Sequence, residues 1–408
     1  MISIDQKTCA DFARSSRLEW LETNGAGGFA MGTVASVNTR RYHGLLVAAL
    51  QPPIERYLLL SRLDEVVPGK QDLLLATNQY PGTLYPTGYL HLLEFRLDPF
   101  PTWVYDVDGA RLEKSLFLVQ GEQTVVVQYR ASRRLRLLVS PVIAFRDYHA
   151  LTFANDQLDG RVRHQRSATA LELHLRPYQA LPELHLHASL AATFAQGGEW
   201  YHHTEYLREL ERGLPFREDL WRAGTLTFDL VADESGFIVA TTGERLYDSA
   251  LVKKLVTAER ARRTPGGDQP RLGDREGSAL ASRGHSTGPN PFGALVASLE
   301  SAADQFLVRR RDGKPTVIAG YPWFTDWGRD TMISLPGLLI ARGRLGEALE
   351  VLSGFLAHLN QGLIPNRFPD RSGEPPEYNT VDATLWMFQA AHAWLAAGGD
   401  RAFLRDAF

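Results

Sequence analysis

Between Gly320 and Ser334 the chain reads GYPWFTDWGRDTMIS, which sets four aromatics (Tyr321, Trp323, Phe324, Trp327), two aspartates and one arginine in a short run that then turns apolar. Aromatic rings present flat faces to the C–H side of a sugar, while Asp and Arg offer planar, bidentate hydrogen bonds to neighbouring hydroxyls. A sugar subsite needs both kinds of group. The same residues also fit a helix N-terminus capped by Asp326 or Asp330, with the aromatics in an ordinary core.

A second stretch, Gly362 to Trp386, reads GLIPNRFPDRSGEPPEYNTVDATLW: a Pro/Gly-rich loop carrying Asp370, Glu374 and Glu377 runs into Asp382 at the head of an apolar helix. Glycosidic cleavage usually takes two carboxyl groups, one protonated to donate to the leaving oxygen and one ionised to activate water or attack carbon. Burial beside Trp386 would raise the pKa of Asp382 and keep it protonated, since desolvation disfavours the charged form. Asp382 equally fits a first-turn acid favoured by the helix macrodipole.

GYPWFTDWGRDTMISLPGLL, with IPNRFPD and EPPEYNTVDATLW, closely resembles the catalytic domain of glycogen debranching enzymes, in particular the amylo-α-1,6-glucosidase part. WLETNGAGGFAMGTVASVNTRRYHGLLVA, Trp20 to Ala48, resembles the start of the prokaryotic form of that family. The resemblance is strong over about 20–65 and 300–398 and thinner between them. It implies hydrolysis of α-1,6-linked branch-point glucose in glycogen or branched α-glucan oligosaccharides by a single-step, inverting acid/base mechanism. Asp382 matches the family's general acid. Arg329 and Asp330 match the pair that grips the hydroxyls of the terminal glucose, with Trp327 and Trp323 as the wall of that subsite. Glu377, Tyr378 and Asn379 are assigned to substrate binding by their position just before Asp382. Such hydrolysis needs no metal or organic cofactor.

The 408 residues, 44% hydrophobic and 22% charged, suffice for a large core and for two or more domains. A formal charge of −3 gives no electrostatic case for nucleic acid or an anionic membrane as partner. The single cysteine, Cys9, excludes an intrachain disulfide, which fits a reducing compartment. With neither a membrane-spanning apolar run nor a signal peptide in evidence, a cytoplasmic location is the expectation.

From Leu58 to Val239 short alternating stretches such as LHLLEFRL, TVVVQYR, LELHLR and ELHLHASL alternate with Gly, Pro, Asp and Asn, the pattern of an antiparallel sandwich. Helical texture interrupts it around Tyr201 to Arg212. After Asp248 comes a charged helix, then a linker or exposed loop over 261–290, unpatterned and rich in Gly, Pro, Ser and Arg from 264 on. Beyond it lie amphipathic stretches LVASLESAADQFLVRR, MISLPGLLIARG, GEALEVLSGFLAHL and ATLWMFQAAHAWLAAGG, with Gly362 and Gly398 as C-terminal stops. The expected fold class is therefore α+β and multidomain: an N-terminal antiparallel β-sandwich over 1–260, then the first part of an (α/α)6 barrel over 291–408.

The toroid that the resemblance implies needs roughly 300 residues. The 118 residues from Pro291 to Phe408 cover about a third of it, and nothing in them matches the family's base, so the chain is expected to be a partial, inactive fragment. Two other readings stay open: an α-glucoside phosphorylase of similar fold, in which phosphate replaces activated water, and a non-catalytic α-glucan-binding protein. NGAGGFAMG, Asn24 to Gly32, lacks the strand–GxGxxG–helix context and the lysine of a phosphate loop; its glycines are expected to supply tight turns or close backbone approach. Arg40, Arg41, Tyr42 and His43 beyond them are expected on a strand whose polar side faces the catalytic domain. His202, His203 and Glu205 lack the i, i+4 spacing of a helical zinc pair and read as solvated surface.

Overall fold

The computed structural model describes residues 2–97, 99–189, 191–263, 292–369 and 373–407. It divides into two compact units, one of Met1–Asn24, Gly28–Leu50 and Arg56–Glu259, the other of Gly25–Gly27, Gln51–Glu55 and Arg260–Phe408.

The first unit holds two large antiparallel sheets, besides a two-stranded one of Thr77–Tyr80 with Thr83–Thr87. One has nine strands, in spatial order Ile2–Asp5, Leu92–Leu97, Pro101–Val107, Ala110–Leu118, Thr124–Ala131, Ser235–Thr241, Leu184–Ser189, Ala170–Leu175 and Val162–Arg166. The other has eight, running Thr193–Glu205, Arg217–Leu230, Leu135–Asp147, Ile54–Val67, Gly44–Gln51, Phe29–Thr33 and Glu19–Thr23, with Leu73–Leu74 beside Ile54–Val67. Period-two alternation turns one apolar row of each strand inward. Leu116, Leu173, Leu186 and Ile238 of one sheet thereby share a core with Trp20, Leu46, Leu60 and Val139 of the other. This is the expected sandwich-like arrangement, although its strands reach from Ile2 to Thr241 rather than only from Leu58 to Val239. The helical interruption is shorter than the sequence suggested. Tyr201 to Glu205 close the strand Thr193–Glu205, held there by pairing of Trp200 with Trp221 and of Tyr201 with Leu220, and the helix is only Leu207–Glu211.

The glycine run behaves as a turn with close approach. Gly25 and Gly27 take φ of 67° and 86°, and a Cβ on Gly28 would lie 2.2 Å from Gln123 Oε1 and 2.6 Å from Asn24 Nδ2. Arg40 to His43, expected on a strand, instead form the turn before Gly44–Gln51. Arg41 donates to the carbonyls of His149 and Pro215 (both 2.8 Å), Tyr42 bonds His149 (3.1 Å), and Arg40 Nε donates to Glu19 (2.7 Å). His43 Nδ1 accepts from the Thr39 amide (3.1 Å), which leaves Nε2–H to donate to Glu19 (3.1 Å). Burial lowers the His43 pKa, against the raising pull of the Glu19 carboxylate.

Burial would raise the Glu19 carboxyl, but the hydrogen bond and charge of His43, and then those of Arg40, outweigh it, holding the pKa at about 2 against an ordinary 4.5. A depressed carboxylate pKa stabilises the fold above the unfolded value, and that contribution is lost as pH falls from about 4.5 towards 2. Glu19→Gln is thus expected to cost roughly 1–3 kcal/mol near neutral pH and to flatten the acid limb of the stability curve. Denaturant unfolding at stepped pH reads this out; an acid limb identical to wild type contradicts it.

Helix α1 (Ser249–Arg263) begins where Asp248 Oδ1 accepts from the Leu251 amide (2.8 Å) and carries three residues into the segment expected as linker. Residues 264–290 lie outside the described residues.

In the second unit come α2 (Gly293–Asp304), a small hairpin of Leu307–Arg309 with Pro315–Val317, α3 (Gly328–Leu338), α4 (Leu345–Leu356), α5 (Asp382–Ala396) and α6 (Ala402–Ala407). The stretch LVASLESAADQFLVRR is not one helix, because Leu307–Arg309 leaves it to pair with Pro315–Val317. Apolar residues at helical spacing give α3, α4 and α5 a common core: Met332 and Leu335, Val351, Leu352 and Phe355, Ala383, Met387, Ala390 and Trp394. Trp394 Nε1 donates to the Leu345 carbonyl at 2.9 Å, tying α5 to the start of α4. Gly398 follows α5 at φ 107°, as a stop should, whereas α4 already ends at Leu356 and Gly362 (φ 83°) serves a later turn. Among the described residues no helix is long and apolar enough to cross a membrane.

Candidate functional site

The sequence stretches that carry the proposed chemistry meet in the second unit. Trp327 is the extended residue before α3, so Arg329 and Asp330 stand in the first turn of that helix. Asp382 is the first residue of α5. The two helix starts bring Arg329 Nη1 to 3.6 Å from Asp382 Oδ2, with side chains 41% and 44% exposed. An arginine and a carboxylate thus face each other with enough exposure for both to reach a ligand.

The loop between α4 and α5 is fastened across α3 by backbone and side chains. The Gly328 amide donates to the Asn366 carbonyl and the Asn366 amide to the Glu377 carbonyl, both at 2.8 Å. A Cβ on Gly328 would come within 2.1 Å of the Pro365 carbonyl oxygen, so the helix start and the loop touch backbone to backbone. Arg367 pairs with Glu377 at 2.9 Å. Asn379 Nδ2 donates to the same carboxylate at 3.3 Å, while its Oδ1 accepts from Asn366 Nδ2 at 2.9 Å. Tyr378 donates its hydroxyl to the His358 carbonyl at 2.7 Å. Glu377, Tyr378 and Asn379 therefore hold the loop that leads to Asp382, and Glu377 and Asn379 keep part of their polar surface turned to solvent.

The aromatics divide. Tyr321 is buried, Trp323 and Trp327 are half-buried, and Phe324 is 47% exposed with its ring edge-on to Trp327 at 5.5 Å. Neither aspartate of this stretch caps α3: its cap position is Trp327, without a side-chain bond. Asp326 is buried, pairs with Arg310 at 2.5 Å and accepts from the Thr316 hydroxyl at 3.2 Å. Arg310 in turn lies 3.8 Å above the Phe368 ring.

One expectation is corrected. Asp382 is not buried beside Trp386, which is itself 42% exposed; its own side chain is 44% exposed and faces Arg329. Sequence reading also overlooked Asn366, Arg367 and Arg310. Asn366 and Arg367 stand in the IPNRFPD run, but nothing local shows that Arg367 pairs ten residues on with Glu377. His202 and His203 are exposed, as expected, and sit near Asp219, whereas Glu205 is buried and pairs with Arg217 at 2.7 Å.

The sequence matches the family described as glycogen debranching enzyme N terminal over residues 18–236 and the one described as amylo-alpha-1,6-glucosidase over residues 301–408. It is 38% identical over 113 residues to the glycogen debranching enzyme of Saccharomyces cerevisiae, an alignment covering 25% of this chain and 7% of that protein. The chain thus aligns with only a small part of that relative's length. Among solved structures it is similar to a bacterial glucoamylase complexed with acarbose, with a TM-score of 0.47 and 11% identity over 94% of this chain and 56% of that one. The N-terminal match alone spans more than half of the chain, and the second follows it in order over the segment that holds Arg329, Asp330 and Asp382: the chain belongs to the glycogen debranching enzyme family.

Proposed function

We propose that this chain carries the sugar grip and the general acid of a glycoside hydrolase that removes α-1,6-linked branch-point glucose from glycogen or branched α-glucans with inversion. The observation that carries the reading is the convergence of Arg329 and Asp382 at 3.6 Å at the heads of two helices, with Asp330 next to Arg329 and Trp327 just before. Asp382 protonates the branch oxygen while a second carboxylate, about 6.5–9.5 Å away in such reactions, activates water on the opposite face. Glu377 is not assigned that role, because Arg367 and Asn379 already engage it. Arg329 and Asp330 hold the hydroxyls of the terminal glucose by charge-assisted bonds, and Trp327 and Trp323 wall its apolar side.

The same reading takes α3, α4 and α5 as hairpins of an α/α barrel over 291–408, joined through 261–290 to the sandwich domain over 1–260, in a cytoplasmic enzyme. The exposure of Asp382 supports a second reading, a protein that binds α-glucan without cleaving it. Glucose release from a limit dextrin, set against simple retention on it, separates the two.

Asp330→Ala is expected to weaken binding of a branched oligosaccharide by about 1.5–3 kcal/mol, roughly 10–150-fold, with the melting temperature unchanged. Unchanged binding together with a lowered melting temperature would show a structural residue instead.

A further inference from the structure

On the nine-stranded sheet, outside the site above, the strands Ala170–Leu175 and Leu184–Ser189 pair in a register that sets His174 opposite His185. Leu173 and Leu175, with Leu184 and Leu186, take the inward positions of these strands, so the alternating histidines stand on the outward face. The two imidazoles approach to 2.9 Å between their Nδ1 atoms. Glu183, just before the second strand, brings Oε2 to 3.7 Å from His174 Nδ1 and 3.9 Å from His185 Nε2. One nitrogen from each ring and one carboxylate oxygen all lie within 4.8 Å of one another.

From this geometry we infer that His174, His185 and Glu183 form a binding site for a borderline divalent transition metal such as Zn2+. Two imidazoles and one carboxylate are a ligand set that zinc takes with a fourth position left to water. Bonds of about 2.0–2.2 Å in a tetrahedron put ligand atoms roughly 3.3–3.6 Å apart. With one nitrogen of His185 used, the three donor atoms lie within 4.8 Å of one another, so side-chain shifts on the order of an ångström reach that spacing.

The surroundings prepare the ligands. The His187 ring stacks on His185 at 6.5 Å and 17°. Arg163 pairs with Glu183 through Oε1 at 2.5 Å, leaving Oε2 as the oxygen nearest the rings. That contact fixes the orientation of the carboxylate, as a hydrogen bond behind a metal ligand does. The three ligands bracket residues 176–182, so a bound ion would clip the base of that connection. Glycoside hydrolysis at Asp382 makes no use of it.

The test is calorimetric titration of ZnCl2 into the intact, tag-free chain after chelator treatment, with MgCl2 as control. One saturable Zn2+ per chain is expected, with a raised melting temperature in its presence and no comparable Mg2+ binding. His174→Ala and His185→Ala should each weaken Zn2+ at least tenfold. Absence of saturable binding, equal binding of Mg2+, or wild-type affinity in both variants would overturn the site. Where circular dichroism shows a variant unfolded, wild-type protein is modified with diethylpyrocarbonate with and without Zn2+ and mapped by mass spectrometry. Selective protection of His174 and His185, with exposed His202 and His203 still modified, supports the site; equal modification with and without Zn2+ refutes it.

Discussion

Asp382→Asn is expected to lower glucose release from a limit dextrin by about 10²–10⁴-fold in any preparation of the protein that shows it, because protonation of the leaving oxygen contributes about that much to rate. Glucan binding should change little. Asparagine keeps the shape of the side chain, and the contact it weakens, the half-exposed pair with Arg329 at 3.6 Å, is of a kind worth about 0–1 kcal/mol. The loss should therefore fall on kcat rather than KM. A substrate whose leaving group needs no proton, such as α-glucosyl fluoride, should be hydrolysed by the variant far more nearly at the wild-type rate. Equal losses on both substrates would mean that Asp382 positions the sugar and does not protonate it.

The second large effect is on stability and lies in the sandwich. Glu218 is fully buried and Arg146 nearly so, on neighbouring strands. Arg146 donates to both carboxylate oxygens, at 2.6 and 2.9 Å, and reaches the carbonyls of Arg41, Asp147 and Tyr148. The Tyr206 hydroxyl and the Thr152 amide complete the shell of Glu218. Removing one partner of such a pair leaves an uncompensated charge, so Glu218→Ala is expected to cost about 3–5 kcal/mol. That is a large share of the roughly 5–15 kcal/mol that holds a domain together. Replacing both partners, as in Arg146→Met with Glu218→Leu, should cost less than Glu218→Ala alone. Denaturant unfolding of the three proteins checks this; a Glu218→Ala loss below about 1 kcal/mol would show that the network carries little.

The two halves of the molecule were legible in the sequence to different depths, and the difference follows the range of the signal. Strands such as Ala170–Leu175 announce themselves because alternate leucines line one face, and α5 because Ala383, Met387, Ala390 and Trp394 recur at helical spacing. Local chemistry also placed Asp382 at the head of α5, whereas the cap of α3, expected at Asp326 or Asp330, is at Trp327. What stayed hidden was every contact set by register or by chain return. The meeting of His174 with His185 depends on which residue pairs across the sheet. The Arg367–Glu377 pair depends on a loop folding back on itself. The burial expected at Asp382 failed for the same reason: the helix pattern places Trp386 one turn on, but which face of α5 is covered depends on its neighbours.

A structure of this chain with a branched oligosaccharide ending in an α-1,6-linked glucose tests the central claim most directly. The terminal glucose is predicted to hydrogen-bond Arg329 and Asp330 against Trp327, with the branch oxygen within hydrogen-bond reach of Asp382. An oligosaccharide bound elsewhere on the molecule, or one at this site with its branch oxygen directed away from Asp382, would contradict it.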